Sequence, residues 1–277
     1  MRSLLAALSG VVAVLALIVA LPIGWIATHV ADEDGFVDFT STLIDDPDLR
    51  SEMSGVVTDE IITQSGVPGA LASRVRQALD VTTTRVVESP EFDTAWSESM
   101  RASHRATFDP ADGRSASSQL VLDLAPVARI VADGVTADLP VDVTAPDQVL
   151  VPIGGADEDE VIQRVNRTSD DFPLTAGAAI ATALFALLLA RRRAGALAWL
   201  GVGTVLVAGL LHWVVGQAVP RVVEQSASTG IAARAQTLLA DAAVESLDGW
   251  LIWTAIAGAV MLGLGVIGQV VRSRRYE

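Results

Sequence analysis

The chain has no cysteine among its 277 residues. Disulfide frameworks and thiolate metal sites are therefore excluded outright. Lysine is absent as well, so all 19 basic residues are arginine. Asparagine and tyrosine occur once each, at Asn166 and Tyr276. Lysine, asparagine and tyrosine have AT-rich codons, and their scarcity points to a high-GC bacterial genome. Histidine is confined to His29, His104 and His212, which leaves few nitrogen ligands or general bases.

Charge is missing from four long stretches, and these set the class. Half of the residues are hydrophobic, at 51%. They gather in blocks at residues 4–26, 172–190, 194–216 and 249–271, none of which contains Asp, Glu, Lys or Arg. A bilayer core about 30 Å thick needs roughly 20 apolar residues of helix to cross it. In hydrocarbon the peptide groups must pair within the segment, so each block reads as a transmembrane helix. The first block, residues 1–29 with the basic start Arg2, reads as an uncleaved anchor. Its apolar run is longer than a signal-peptide core, and no A-x-A cleavage site follows it.

The net charge of −14 is unevenly placed. Residues 30–171 hold 28 acidic residues and 10 arginines, a net of −18. The short flanks are basic: Arg2 before the first block, Arg191, Arg192 and Arg193 between the second and third, and Arg272, Arg274 and Arg275 after the fourth. A chain that crosses four times puts these arginines on one side, and the positive-inside rule makes that side the cytoplasm. Both termini are then inside, with residues 30–171 and 217–248 outside. Trp25, Trp213, Trp250 and Trp253 then fall near the outer interface and Trp199 near the inner one, the depth that indole rings prefer.

Between the first two blocks the periodicity predicts an α+β domain. Asp46-Pro47 reads as a helix start. Leu49, Met53, Val56 or Val57, and Ile61 follow at helical spacing, up to a break at Ser65-Gly66-Val67-Pro68. A second helix carries Leu71, Val75, Leu79 and Val86. A third starts at Ser89-Pro90, with Phe92, Trp96, Met100, His104 and Phe108 all four apart. Leu120, Leu122 and Leu124 alternate as in a half-buried strand. Residues 126–132 suggest a short helix ending at Gly134, Val141 and Val143 a second strand, and residues 157–167 a helical stem. The expected fold class is thus a mainly α membrane protein. It has four transmembrane helices plus an extracytoplasmic domain of about three helices and a small strand-helix-strand unit. The loop at residues 217–248 carries an amphipathic stripe of Val222 or Val223, Ile231, Ala235, Leu238 or Leu239, and Val244. It is expected to pack on the outer domain or lie on the membrane.

Candidate chemistry is sparse. Ser103, His104 and Asp123 supply the residue types of a catalytic triad. There is no G-x-S-x-G, however, and neighbouring residues on a helix point apart. His29 and His212 at one depth suggest metal binding or proton sensing, and a hydrogen-bonded interfacial role explains them more simply. The acidic runs Asp32-Glu33-Asp34, Asp170-Asp171 and residues 157–160 resemble oxygen-rich cation ligands. They lack the twelve-residue calcium-loop pattern and read as solvated surface. Ala255, Ala259 and Gly263, Gly177 and Ala181, and Thr204 and Ala208 are small residues spaced by four, as in close helix packing. Pro22 and Pro173 sit near block ends. No catalytic, cofactor-binding or metal residue is assigned, and no cofactor is expected. Nucleic acid is an unsuitable partner for so acidic a domain.

Several short runs carry a family likeness: Phe36-Val37-Asp38, then Ile44-Asp45-Asp46-Pro47-Asp48-Leu49, and Val57-Thr58-Asp59-Glu60-Ile61. Phe92, Trp96, Arg101 and His104 add to it, as does Leu122-Asp123-Leu124-Ala125-Pro126. With these the chain resembles the uncharacterised four-helix integral membrane proteins of actinobacteria, which carry an extracytoplasmic domain between their first and second spans. The resemblance implies an actinobacterial plasma membrane and the topology above. It brings no activity with it.

The expected function is a non-enzymatic envelope protein whose outer domain contacts another protein or an envelope component. A small-solute or ion transporter or its accessory subunit is the alternative, and an extracytoplasmic carboxylate-based hydrolase is a third. Reporter fusions after Arg193 and Glu277 should report cytoplasm, and fusions at Gly113 and Ser228 the exterior. An exterior signal at Arg193 would sink this topology.

Overall fold

The structure is a computed structural model that describes residues 2–64, 69–108, 121–138, 144–153, 159–225 and 230–274. Among these the chain is mainly helical, with a two-stranded sheet between helices. In chain order the elements are α1 (Arg2–Ile26), a π-helical turn (Ala27–Ala31), α2 (Glu33–Thr40), a 3-10 turn (Ser41–Asp45), α3 (Pro47–Gln64), α4 (Gly69–Val87) and α5 (Pro90–Phe108). Then come β1 (Val121–Asp123), α6 (Ala125–Asp138), β2 (Leu150–Pro152), α7 (Asp159–Asp170), α8 (Phe172–Leu189), α9 (Arg193–Gln225) and α10 (Ile231–Ser273).

The chain forms two compact units. One comprises Met1–Thr28, Val165–Val222 and Ala243–Glu277; the other comprises His29–Arg164 and Val223–Ala242. The first holds most of four helices long and apolar enough to cross a membrane: Leu4–Ala31, Phe172–Leu189, Arg193–Arg221 and Ile231–Arg272. Large apolar side chains stand exposed along these helices, among them Leu4, Ile180, Leu188, Leu206 and Ile267. In the other unit the exposed large apolar residues, among those described, are Val81 and Leu150. Apolar surface on this scale is the mark of a helix whose solvent is lipid.

Within the first unit α1 packs along α8. Val207, Ala208, Leu211 and Leu251 form a small core with Val14, Leu17, Ile18 and Leu21 packed against it. Helices α9 and α10 cross at glycine. A Cβ on Gly201 would stand 2.5 Å from the Gly258 carbonyl oxygen, and one on Gly265 would stand 2.5 Å from the Ala198 nitrogen. The crossing thus uses Gly201, Gly258 and Gly265 with Thr204; of the expected Ala255-Ala259-Gly263 stripe, Ala255 packs against the small core. Ala259 is exposed and Gly263 has nothing near it. Gly177 likewise meets nothing, and Ala181 is exposed. Spacing by four identifies a small face, but which face meets a neighbour depends on helix rotation. Pro22 lies inside α1 rather than at its end, whereas Pro173 occupies the first turn of α8 as expected.

The second unit is built on the expected stripes. Leu49, Met53, Val57 and Ile61 of α3 are buried, as are Val75 and Leu79 of α4 and Phe92, Trp96, Met100 and His104 of α5. Each fully buried large apolar side chain contributes about 1.5–3 kcal/mol relative to exposure. Asp46 caps α3, its Oδ1 accepting from the Leu49 N–H at 2.8 Å. Asp32 caps α2 in the same way, through the Gly35 N–H at 2.8 Å. Helix α2 and its cap were not expected from the sequence, where Asp32 reads as part of a solvated acidic run.

Three expectations are corrected here. The strand Val121–Asp123 is buried at every position, not half-buried, because it packs against α5 and pairs antiparallel with Leu150–Pro152. That partner strand, with its proline, escaped the periodicity reading; residues 141–143 lie outside the described residues, as does the break at 65–68. Helix α6 runs through Gly134 to Asp138. Gly134 is a contact rather than a stop: a Cβ there would meet Thr82 Cγ2 of α4 at 2.8 Å. Finally, most of residues 217–248 form helix. Helix α9 runs to Gln225, and α10 begins at Ile231 after Gly230, whose φ of 61° favours glycine.

Trp96 is 2% exposed and its Nε1–H donates to the Thr40 carbonyl at 3.1 Å. Trp96→Ala in the full chain should destabilise the second unit by about 3–5 kcal/mol in thermal or denaturant unfolding. Trp96→Phe, which keeps most of the volume, should lose about 1 kcal/mol with the hydrogen bond. An unchanged melt for the alanine variant would place Trp96 outside the core.

Candidate functional site

The triad residues do not assemble. Ser103 Oγ donates to the Ser99 carbonyl at 2.7 Å and accepts from the backbone N–H of Asp123 at 2.8 Å. The Asp123 carboxylate is spent on the N–H groups of Ala125 (3.0 Å) and Val149 (3.3 Å). Ser103 and Asp123 thus fasten α5 to β1 and β1 to its surroundings. His104 faces elsewhere: its Nε2 donates to the Val30 and Ala31 carbonyls, both at 3.1 Å. The ring is 7% exposed, with Phe36 and Phe108 at centroid distances of 5.4 and 4.9 Å. Burial holds its pKa below the usual histidine value, partly opposed by its hydrogen bonds and by Glu33 and Asp32.

The run Asp32-Glu33-Asp34 is engaged by a cap and by ion pairs, whereas Asp171 makes no side-chain cap hydrogen bond. Asp32 is a cap. Glu33 pairs with Arg105 (3.5 Å) and Arg101 (3.9 Å), and Asp34 with Arg101 (3.9 Å). Asp171 sits at the N-cap of α8. The side chains of residues 157–160 fall outside the description. Among the described residues no group of three His, Asp or Glu is placed to hold a metal ion. The two other histidines have separate surroundings. His29 lies edge-on to Phe39 in the second unit, at 6.3 Å between ring centroids. His212 of α9 meets Asp248 of α10 in the first unit, Nδ1 to Oδ1 at 2.7 Å. The carboxylate partner is 36 residues away, so the sequence offered no local sign of it.

Two arrangements were not foreseen. Arg234, near the start of α10, forms a two-pronged bridge to Asp46, with Nε to Oδ1 at 3.1 Å, and also reaches Asp48 at 3.3 Å. Gln236 donates to the Ile153 carbonyl, and Ala235, Leu238 and Leu239 pack into the main core of this unit. The amphipathic stripe expected for this segment therefore packs into the core of the second unit. The available clue was that Arg234 is the lone basic residue between Arg221 and Arg272.

The second arrangement is an open groove of about 870 Å³ lined by Glu60 and Gln64 of α3, Arg129 of α6, and Asp147, Gln148 and Leu150 on the approach to and start of β2. It offers two carboxylates, a guanidinium, two amides and one exposed apolar side chain. Gln64 donates to Glu60, whereas Arg129 has no ion-pair partner among the described residues. No sequence motif marks these residues, because their meeting depends on the unforeseen strand. A smaller hollow of about 330 Å³ lies beside Arg85, Ser89, Glu91 and Asp133. No protein-family model, curated protein or solved structure matches the chain.

The hydrogen bond from Arg234, with help from the Leu49 N–H, lowers the Asp46 pKa below its ordinary 3.8. A carboxylate whose pKa is lower in the folded than in the unfolded state stabilises the fold above the ordinary value. That stability is lost as pH falls through the lowered value. Asp46→Asn keeps a good capping side chain but removes the charge and one of the two oxygens that accept from Arg234. The variant should therefore be less stable at neutral pH and lose less stability than the parent on acidification from about pH 5 to about pH 2.5. Parallel acid limbs in thermal melts of the two would remove the bridge from the account.

Proposed function

We propose that the chain is an integral plasma-membrane protein with both termini in the cytoplasm, whose acidic outer domain is non-enzymatic and binds a polar envelope component or protein. The observation that supports binding is the groove of Glu60, Gln64, Arg129, Asp147, Gln148 and Leu150. It presents donors and acceptors together, with Leu150, 46% exposed, as an apolar floor. Such a mixed set suits a hydroxyl-rich glycan or a polar peptide segment better than an apolar small molecule. Against an enzymatic reading, Ser103, His104 and Asp123 are each committed to backbone partners. The paired carboxylates of the groove keep glycoside hydrolysis as a chemical alternative, since that reaction needs two of them across a cleft.

The topology rests on the arginine asymmetry and on tryptophan. Trp199, Trp213 and Trp253 stand 75%, 64% and 73% exposed on their helices, as expected for rings at headgroup depth. One observation favours the alternative of a transporter or accessory subunit. The His212–Asp248 pair joins two apolar helices, and ionisable pairs among spans often mark solute or proton paths.

Photo-crosslinking amino acids at Gln64 and Gln148 in native membranes, read by mass spectrometry, test the binding site. A defined protein or glycan adduct at both positions, absent from a control at the exposed Val81, is the expected result. Equal labelling at all three positions would remove the groove from consideration. Loss of solute flux in liposomes on His212→Asn, with groove variants silent, would shift the function to transport.

A further inference from the structure

We propose that His104 is a proton-sensitive latch on the π-helical turn Ala27–Ala31: the neutral ring holds the Val30 and Ala31 carbonyls, and protonation drives the ring from its pocket and frees them. The motive is the position of a buried titratable group that no catalytic reading uses. His104 lies 74 and 73 residues from the two carbonyls that it ties. It is the side chain by which α5 holds the turn that follows α1. A π-turn is an uncommon element that recurs at functional positions.

The chemistry of the ring sets the direction of switching. One proton on Nε2 serves both carbonyls, so the neutral tautomer is satisfied. The other nitrogen, Nδ1, has no hydrogen-bond partner among the described residues, and the ring lies beside Phe36 and Phe108. A second proton would place a charged, unpaired N–H in an apolar site, which is costly. The charged groups around the ring do not remove this penalty. Asp32 and Glu33 favour the imidazolium, but Glu33 is drawn off by Arg101 and Arg105 of the histidine's own helix, and Arg101 also engages Asp34. His29, on the turn itself, packs edge-on to Phe39, and the Asp123 carboxylate of β1 is committed to backbone N–H groups. Because the folded pKa lies below the ordinary value near 6.5, the latched state has its full stability above that value. It loses stability as pH falls from there through the lowered folded value.

Hydrogen exchange of the full chain in lipid nanodiscs, corrected for intrinsic rates, tests the latch. Amides of residues 27–36 should exchange several-fold faster at about pH 5 than at about pH 7.5. Those of α6 should hold. His104→Gln keeps an N–H donor but does not titrate, so its exchange in this segment should be the same at both pH values. His104→Phe removes the donor and should exchange fast at both. With three histidines in the chain, the ring resonance missing from the glutamine variant reports the His104 titration directly. The proposal is overturned by unchanged exchange in the parent across that titration, by a titration absent until the chain unfolds, or by an equal rise in His104→Gln. Should His104→Phe fail to fold, the parent and the glutamine variant alone decide.

Discussion

Bilayer hydrocarbon offers a peptide group no hydrogen-bond partner, and most of this architecture follows from that. A span must satisfy its own backbone, which makes it a helix. It must also be apolar over about 20 residues, which leaves charge to the ends and to the domain between. Without a hydrophobic drive between them, helices in lipid adhere through close approach. Here that approach is made by Gly201, Gly258 and Gly265, where any Cβ would strike the neighbouring backbone.

The second unit follows the opposite regime. Its core is assembled by burial of apolar side chains. The α5 stripe is the organising feature: Phe92, Trp96 and Met100 fill the interior, while Ser103 and His104 at its far end turn to fastening. Ser103 receives β1 through the Asp123 N–H, and His104 receives the turn after α1. Side chains that resemble catalytic machinery in a linear reading are here the means by which α5 holds two neighbours. A buried hydrogen-bonding group at such a joint is costly unless it is paired, and both of these are paired with backbone groups.

Helix α10 links the two regimes. At 43 residues and 1.5 Å per residue it is about 65 Å long, roughly twice what a bilayer core requires. Its first dozen residues belong to the core of the second unit, through Ala235, Leu238 and Leu239 and the Arg234 bridge to Asp46. Asp46 therefore has two duties, capping α3 and receiving Arg234, and its lowered pKa reflects both. The amphipathic stripe belongs to a helix rather than a loop, because nothing between Ile231 and Gly249 interrupts it.

What the amino-acid order determined by itself is what depends on local periodicity and composition: four apolar stretches, the acidic region after the first, the stripes of α3 to α5 and the cap at Asp46. These are short-range properties, set within a turn or two of helix. What only the tertiary structure decided depends on rotation and long-range register. Gly134 is a contact with Thr82 rather than a stop, because α6 lies against α4. Leu150–Pro152 is a strand because Val121–Asp123 is there to pair with it. His212 meets Asp248, Arg234 meets Asp46, and Glu60, Arg129 and Asp147 share a groove across tens of residues of sequence. Side chains that converge from separate elements leave no periodic trace in any one of them, so the candidate sites became visible only once the helices were packed.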